Sequence, residues 1–77
     1  MALDKDRNRV LVSLRGQPEG VTSGTLVEML GLPREAVERH LLYCADYGLA
    51  IWTRSRDGSG LAVITDRGGD YLVRQGL

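Results

Sequence analysis

The segment of residues 22–49, TSGTLVEMLGLPREAVERHLLYCADYGL, constrains the fold most strongly. Its apolar residues recur at three- and four-residue spacing on both sides of Gly-Leu-Pro, which indicates two short helices joined by a tight turn. Thr22 or Ser23 can cap the first helix, and Gly31 suits its end because glycine tolerates a left-handed backbone. Pro33 fits the start of the second helix, where its missing N–H costs little. We therefore predict a helix-turn-helix whose second helix is free to present side chains.

The inner face of this motif is predicted to be buried. Val37, Leu41 and Cys44 lie at positions i, i+4 and i+7 of the second helix, a spacing that places them on one stripe. Cys44 is therefore interpreted as a small core residue and not as a redox or metal sensor. His40 flanks the stripe without an apparent second ligand, so we expect a structural role for it. The predicted apolar seam consists of Leu26, Leu30, Leu32, Val37, Leu41 and Leu49.

A further helix is predicted before the motif, from about residue 4 to residue 14. Its apolar stripe is interrupted by Arg7, which must extend to solvent or find a partner. Acidic residues at its beginning suit the positive end of a helix dipole. The stripe consists of Leu3, Val10, Leu11 and Leu14.

A β-hairpin and a last helix are predicted after the motif. The segments LAIWTRS and LAVIT are rich in β-branched and apolar residues and flank the turn sequence of residues 56–60, RDGSG, which favours a hairpin. Thr65 can cap a helix from about residue 66 to residue 75, with Tyr71 and Leu72 as core anchors. Gly68 and Gly69 lower the intrinsic helix propensity, so packing must hold this helix in place.

Length and composition favour a single domain spanning residues 1–77. One cysteine excludes an intramolecular disulfide, and one histidine adds little to a metal site, so we expect neither a structural metal nor another cofactor. No apolar run is long enough for a membrane span. The first ten residues are charged where a signal peptide has an apolar core. These features predict a cytoplasmic protein with no membrane association.

The charge balance counts against tight electrostatic binding to nucleic acid. Ten basic residues balance ten acidic ones, whereas phosphate contacts need an excess of positive charge. Residues 22–49 contain two arginines and four acidic residues, a net charge of −2. The hairpin region contains Arg54 and Arg56 against Asp57, a net charge of +1. The helix-turn-helix is therefore the most acidic part of the chain.

No pattern in the sequence indicates an enzyme. No Ser/His/Asp or Cys/His combination has a plausible arrangement, and no glycine motif of the kind that holds phosphates is present. The DGSG sequence is interpreted as a turn. We predict a protein without catalytic activity.

The predicted order of helix, helix, turn, helix, hairpin and helix resembles a winged helix domain. The block VTSGTLVEMLGLPREAVERHLLYCADYGLA is similar to the helix-turn-helix of bacterial transcriptional regulators of the MarR and ArsR type, and ITDRGGDYL is similar to the ending that follows their wing. The resemblance implies an α+β, mainly α fold. It has three helices, a two-stranded hairpin wing and a short C-terminal helix.

The resemblance also implies binding to double-stranded DNA. The second helix of the motif would enter the major groove, with Arg39 as the best reader of a guanine edge. Hydroxyl groups at the start of the preceding helix would contact a phosphate, and the wing arginines would reach the minor groove or its phosphates. The implied DNA-binding residues are Thr22, Ser23, Thr25, Arg34, Glu35, Glu38, Arg39, Leu42, Tyr43, Arg54 and Arg56.

Other interpretations of the same residues stay open. Winged helices also serve as protein-interaction modules, and an exposed patch of Leu42, Met29, Val12 and Trp52 would favour a protein partner. A homodimer through exposed apolar residues of the first helix, such as Leu3 and Val12, or through the last helix also stays open. On the helix itself, Glu35–Arg39 and Arg34–Glu38 have the spacing of surface ion pairs. The wing arginines also suit a soluble strand edge, and Trp52 also suits the wing's own core.

Overall fold

The computed structural model describes the backbone of residues 2–57 and 59–77 and the side chains of residues 5–57 and 59–77. These residues form four helices and three short strands. None of the described helices is long and apolar enough to cross a membrane. In chain order the elements are α1 (Ala2–Arg15), β1 (Val21–Thr22), α2 (Ser23–Leu30), α3 (Arg34–Asp46), β2 (Ala50–Trp52), β3 (Leu61–Ile64) and α4 (Asp66–Arg74).

The ends of α2 and the start of α3 follow the predicted capping signals. Thr22 is the N-cap residue of α2, and its hydroxyl oxygen accepts a hydrogen bond from the Thr25 N–H at 3.1 Å. Gly31 ends α2 with a φ of 66°, in the left-handed region. Pro33 precedes α3 as its N-cap, and its carbonyl accepts from the Val37 N–H at 3.1 Å. The predicted helix-turn-helix is therefore confirmed.

The sheet differs from the predicted two-stranded wing because a third strand joins it. β2 and β3 form the predicted antiparallel hairpin, with Trp52 opposite Ala62, and its predicted turn residue Gly58 lies outside the described residues. β1 pairs with the other edge of β3, placing Val21 opposite Ala62. A two-residue strand whose second residue is the N-cap of α2 leaves no alternating pattern in the sequence. The extra strand ties the start of α2 to the wing.

The core lies where α1, α2 and α3 meet the sheet and α4. Within the predicted seam, Leu26, Val37 and Leu41 are fully buried, and Leu30 and Leu32 pack against the core while partly exposed. The side chain of Leu3 lies outside the described residues. The buried apolar residues are Val10, Leu11, Leu14, Val21, Leu26, Val37, Leu41, Cys44, Leu49, Ala50, Ala62 and Leu72.

Cys44 is a core residue, as predicted. Its side chain is fully buried, and burial raises the pKa of the thiol to about 11 because the charged thiolate is poorly solvated there. The thiol therefore stays protonated at neutral pH, which suppresses its reactivity.

His40 is likewise buried, with 3% of its surface exposed. Burial lowers the pKa of its imidazole below the ordinary value of 6.5, and the positive charge of Arg7 lowers it further. His40 is therefore neutral in the folded protein at pH 7, in agreement with a structural role.

This shift predicts a loss of stability in mild acid. Below pH 6.5 the unfolded chain binds a proton on His40 more readily than the folded protein does, so the free energy of unfolding falls as the pH drops. The fall should begin near pH 6.5, end once the pH is below the lowered pKa, and not exceed about 1.4 kcal/mol per pH unit. Urea unfolding between pH 7.5 and pH 5.5 measures it. A His40→Gln variant should lack this component; an equally steep fall in the variant would contradict the assignment.

The short helix α4 is held by polar contacts at both ends. The Thr65 hydroxyl caps it by accepting from the Gly68 N–H at 3.0 Å, and donates to the Gly48 carbonyl at 2.6 Å. The Tyr71 hydroxyl donates to Asn8 Oδ1 on α1 at 2.8 Å. With Leu72 buried, packing holds this glycine-containing helix as predicted.

Candidate nucleic-acid interface

The wing consists of β2, β3 and the described part of the loop between them. Together with the outer face of α3 it lines a groove, here called the α3–wing groove. It has two parts, of about 550 Å³ and about 310 Å³, which share Glu38 and Arg54 as lining residues. The structure thereby brings together seven of the predicted DNA-binding residues. The groove is lined by Arg34, Glu35, Glu38, Arg39, Leu42, Trp52, Arg54, Ser55 and Arg56.

The groove is positively charged although the chain is neutral. Four arginines and two glutamates line it, which gives a net charge of +2, against a formal charge of zero for the whole chain. The wing arginines lie far from α3 in sequence but fold against it. The acidic character of residues 22–49 therefore does not describe the surface that α3 presents.

Arg34 is the most constrained of these arginines. Its Nε donates to Glu38 Oε2 at 3.1 Å, so the i, i+4 ion pair that the sequence left open as an alternative is formed. Its Nη2 donates to the backbone carbonyl of Arg56 at 2.7 Å. One guanidinium therefore joins the first turn of α3 to the wing.

The Arg39 side chain is far less constrained than that of Arg34. Among the described residues it forms no hydrogen bond or ion pair, so the alternative Glu35–Arg39 pair is not formed. Arg39 is exposed and lines the groove beside Leu42. Its five N–H donors are available to an external acceptor.

The wing tip consists of residues 54–57 and 59, in the loop between β2 and β3. Hydrogen bonds within this loop shape it. The Ser55 hydroxyl and the Ser59 N–H both donate to Asp57 Oδ1, the latter at 3.0 Å. These hydrogen bonds hold the pKa of the Asp57 carboxyl well below its usual range, so it stays ionised. The sequence signal is an aspartate flanked by serines two residues away on each side, a pattern that favours side chain-to-backbone turns. The sequence alone predicts only a turn here.

Trp52 and Leu42 supply the apolar part of the groove. Trp52 packs against the core while half-buried, and the Arg54 guanidinium carbon lies 5.8 Å from its ring centroid. Leu42 is 47% exposed. Met29 is similarly exposed but lines neither part of the groove. The apolar surface considered from sequence is therefore divided, with Leu42 and Trp52 together and Met29 apart.

The start of α2 offers fewer contacts than expected. The Thr22 hydroxyl caps the helix and donates to Thr25 Oγ1 at 2.9 Å, and Thr25 is exposed. Ser23, by contrast, is only 1% exposed. This burial disfavours the predicted contact between the Ser23 hydroxyl and a phosphate.

Tyr43 also lies away from the groove. Its ring lies under the Arg7 guanidinium, whose central carbon is 3.4 Å from the ring centroid, and packs against Tyr47 at a centroid separation of 4.4 Å. It lines a separate cavity of about 430 Å³ bordered by α1, α3 and α4. The contact explains how Arg7 is accommodated within the stripe of α1, and it separates Tyr43 from the other predicted DNA-binding residues.

Comparison with known proteins identifies similar solved structures. The PcaV transcriptional regulator from Streptomyces coelicolor, crystallised in complex with its natural ligand, matches with a TM-score of 0.80 and 26% identity over 92% of this chain and 51% of that chain. RV1404 from Mycobacterium tuberculosis matches with a TM-score of 0.73 and 28% identity over 90% of this chain and 47% of that chain. No protein-family model and no curated protein sequence matches the chain.

These similarities confirm a winged helix-turn-helix fold and the resemblance to MarR-type regulators. The chain spans about half the length of the two solved chains that it matches.

Proposed function

We propose that this chain is a winged helix DNA-binding regulator that contacts duplex DNA through the α3–wing groove. The observation that carries the proposal is the gathering of four arginines in that groove in a chain whose formal net charge is zero. The similarity to a transcriptional regulator over 92% of the chain supports it.

In this proposal α3 lies in the major groove. Arg39 donates both arms of its guanidinium to a guanine O6 and N7. Leu42, three residues further along the same face, contacts the C5-methyl group of a thymine, a suitable partner for an exposed apolar side chain. Glu35 accepts a hydrogen bond from a cytosine amine, and Glu38 orients Arg34 beside it.

The wing and the start of α2 contact the DNA backbone. Arg54 and Arg56 are exposed on the wing, where they reach the minor groove or its phosphates. Thr25, together with the first N–H groups of α2, faces a phosphate on the other side of α3. These contacts position the protein without reading sequence.

Titration of duplex DNA at increasing salt concentration tests the proposal. Two to four phosphate contacts predict that log Kobs falls with log salt concentration with a slope of about −2 to −4. Binding should be measurable at about 50 mM salt and much weaker at about 200 mM. A folded protein that binds no duplex at the lower concentration contradicts the proposal.

The second candidate function is a protein-interaction module. The placement of Leu42 and Trp52 in one groove, flanked by Glu35, favours it, because aromatic and apolar residues anchor protein interfaces. Under this alternative, Leu42→Ser abolishes binding to a protein partner, and the folded chain shows no affinity for DNA at low salt.

A homodimer is proposed as the form that binds DNA, because two copies would place two grooves on successive half-sites. A second groove, lined mostly by residues of α1, contains the exposed side chains of Val12 and Leu77 together with Leu30. This groove is a candidate dimer interface. Sedimentation equilibrium, which measures the mass in solution, distinguishes the dimer from a monomer.

A further inference from the structure

We infer that Arg34 is a positioning residue that fastens the wing to α3, and that it acts on DNA through the wing arginines. The inference rests on the proposed DNA-binding function and gives Arg34 a different role from the DNA contact that the family resemblance implies. Arg34 was grouped with the base-contacting residues because it lies at the start of α3. Its contacts point to the wing.

The wing tip extends beyond the last hydrogen bond of the hairpin. The Thr53 N–H donates to the Leu61 carbonyl at 2.8 Å, and residues 54–57 and 59 lie outside the β2–β3 pairing. Within the tip, Ser55, Asp57 and Ser59 bond to one another. These bonds shape the tip but do not attach it to a helix.

Arg34 supplies such an attachment. Its Nη2 donates to the Arg56 carbonyl at 2.7 Å, across a separation of 22 residues. Its Nε donates to Glu38 Oε2 at 3.1 Å. Because a guanidinium is planar, two acceptors on different N–H groups set both its position and its orientation. Glu38 thus holds Arg34, and Arg34 holds the backbone of the wing.

The attachment matters because it holds the backbone that carries both wing arginines. The bonded carbonyl belongs to Arg56, and Arg54 lies two residues before it. A wing that is already ordered loses less conformational entropy when its arginines bind phosphate. Removing the Arg34 side chain releases that carbonyl while both wing arginines remain. The resulting loss of affinity should therefore depend on their presence.

The first arm of the test uses the free protein. NMR relaxation of the full chain should show lower backbone order parameters at residues 54–57 and 59 in Arg34→Ala than in the wild type. The order parameters should move from about 0.85, typical of a rigid backbone, toward values below about 0.6, typical of a flexible one. Arg39→Ala is the matched control, since it removes an arginine from the same helix that forms no hydrogen bond with the described part of the wing. Wild-type order parameters in Arg34→Ala would overturn the inference.

The second arm uses a duplex that the wild type binds. Arg34→Ala should weaken binding about tenfold in the wild type, but less than about twofold in a protein that already carries Arg54→Ala and Arg56→Ala, as expected for coupled residues. An equal loss in both backgrounds would make Arg34 a direct DNA contact and overturn the inference. If the wild type binds no DNA, the proposed function fails, while the relaxation arm still decides whether Arg34 fastens the wing.

Discussion

Replacing Gly68 with alanine is expected to destabilise the protein by about 3 kcal/mol, although alanine is the better helix former. A Cβ at this position would lie 2.1 Å from the Leu49 carbonyl oxygen and 2.8 Å from Ile64 Cγ1. The Leu49 carbonyl cannot move aside cheaply, because it accepts from the Thr65 N–H at 3.1 Å just before α4 begins. The methyl group must therefore push α4 away from the end of α3 and the sheet.

Gly69→Ala is the matched control for this prediction. It makes the same chemical change in the next residue of α4, but a Cβ there meets no atom within 4 Å. Higher helix propensity should then stabilise the protein by up to about 1 kcal/mol. Urea unfolding of both variants measures the two effects. Equal effects in the two variants would show that the close approach of Gly68 to Leu49 does not limit packing.

Removing both wing arginines is expected to weaken binding to DNA of every sequence. Arg54→Ala combined with Arg56→Ala should weaken binding to all duplexes by about tenfold or more at low salt, because two phosphate contacts disappear together. The slope of log Kobs against log salt concentration should become shallower by about 1.8. Arg74→Ala is a control for single charge loss, since it removes an arginine on α4 that lines a different cavity.

Arg39→Ala should have a different signature. It removes a side chain proposed to hydrogen-bond to a base. The binding free energy for the preferred sequence should therefore weaken by about 1–3 kcal/mol, while binding to unrelated duplexes changes little. Competition between a selected duplex and a scrambled one measures this loss of discrimination. A uniform loss of affinity for every sequence would instead assign Arg39 to the DNA backbone.

Most of the helical framework was predictable because its signals are local. Thr22 and Thr65 each accept a hydrogen bond from the N–H three residues later, and Gly31 takes a left-handed backbone. These features depend on a few neighbouring residues, so a sequence pattern is enough to predict them. The burial of Val37, Leu41 and Cys44 likewise follows from helical periodicity.

The features that the sequence analysis missed depend on tertiary contacts. Strand β1 exists because Val21 and Thr22 meet the free edge of β3. Ser23 is buried where that strand passes into α2, although serine is usually exposed at the start of a helix. Tyr43 turns away from the outer face of α3 because Arg7 and Tyr47 pack against its ring.

The net charge of the α3–wing groove also depends on tertiary contacts, so it could not be predicted from the sequence. Summed along the chain, the helix-turn-helix is acidic, and this weakened the prediction of DNA binding. In the folded protein the wing places Arg54 and Arg56 beside Arg34 and Arg39. The relevant charge is that of the surface, which requires knowing where the wing lies.

The central claim, that duplex DNA binds in the α3–wing groove, is tested most directly by following backbone amide chemical shifts while a duplex is added at low salt. The largest shifts are expected at residues 34–42 and at wing residues 52–57 and 59, while residues 66–74 of α4 should change little. Shifts confined to α1 and α4, or no shifts in a folded protein, would contradict it.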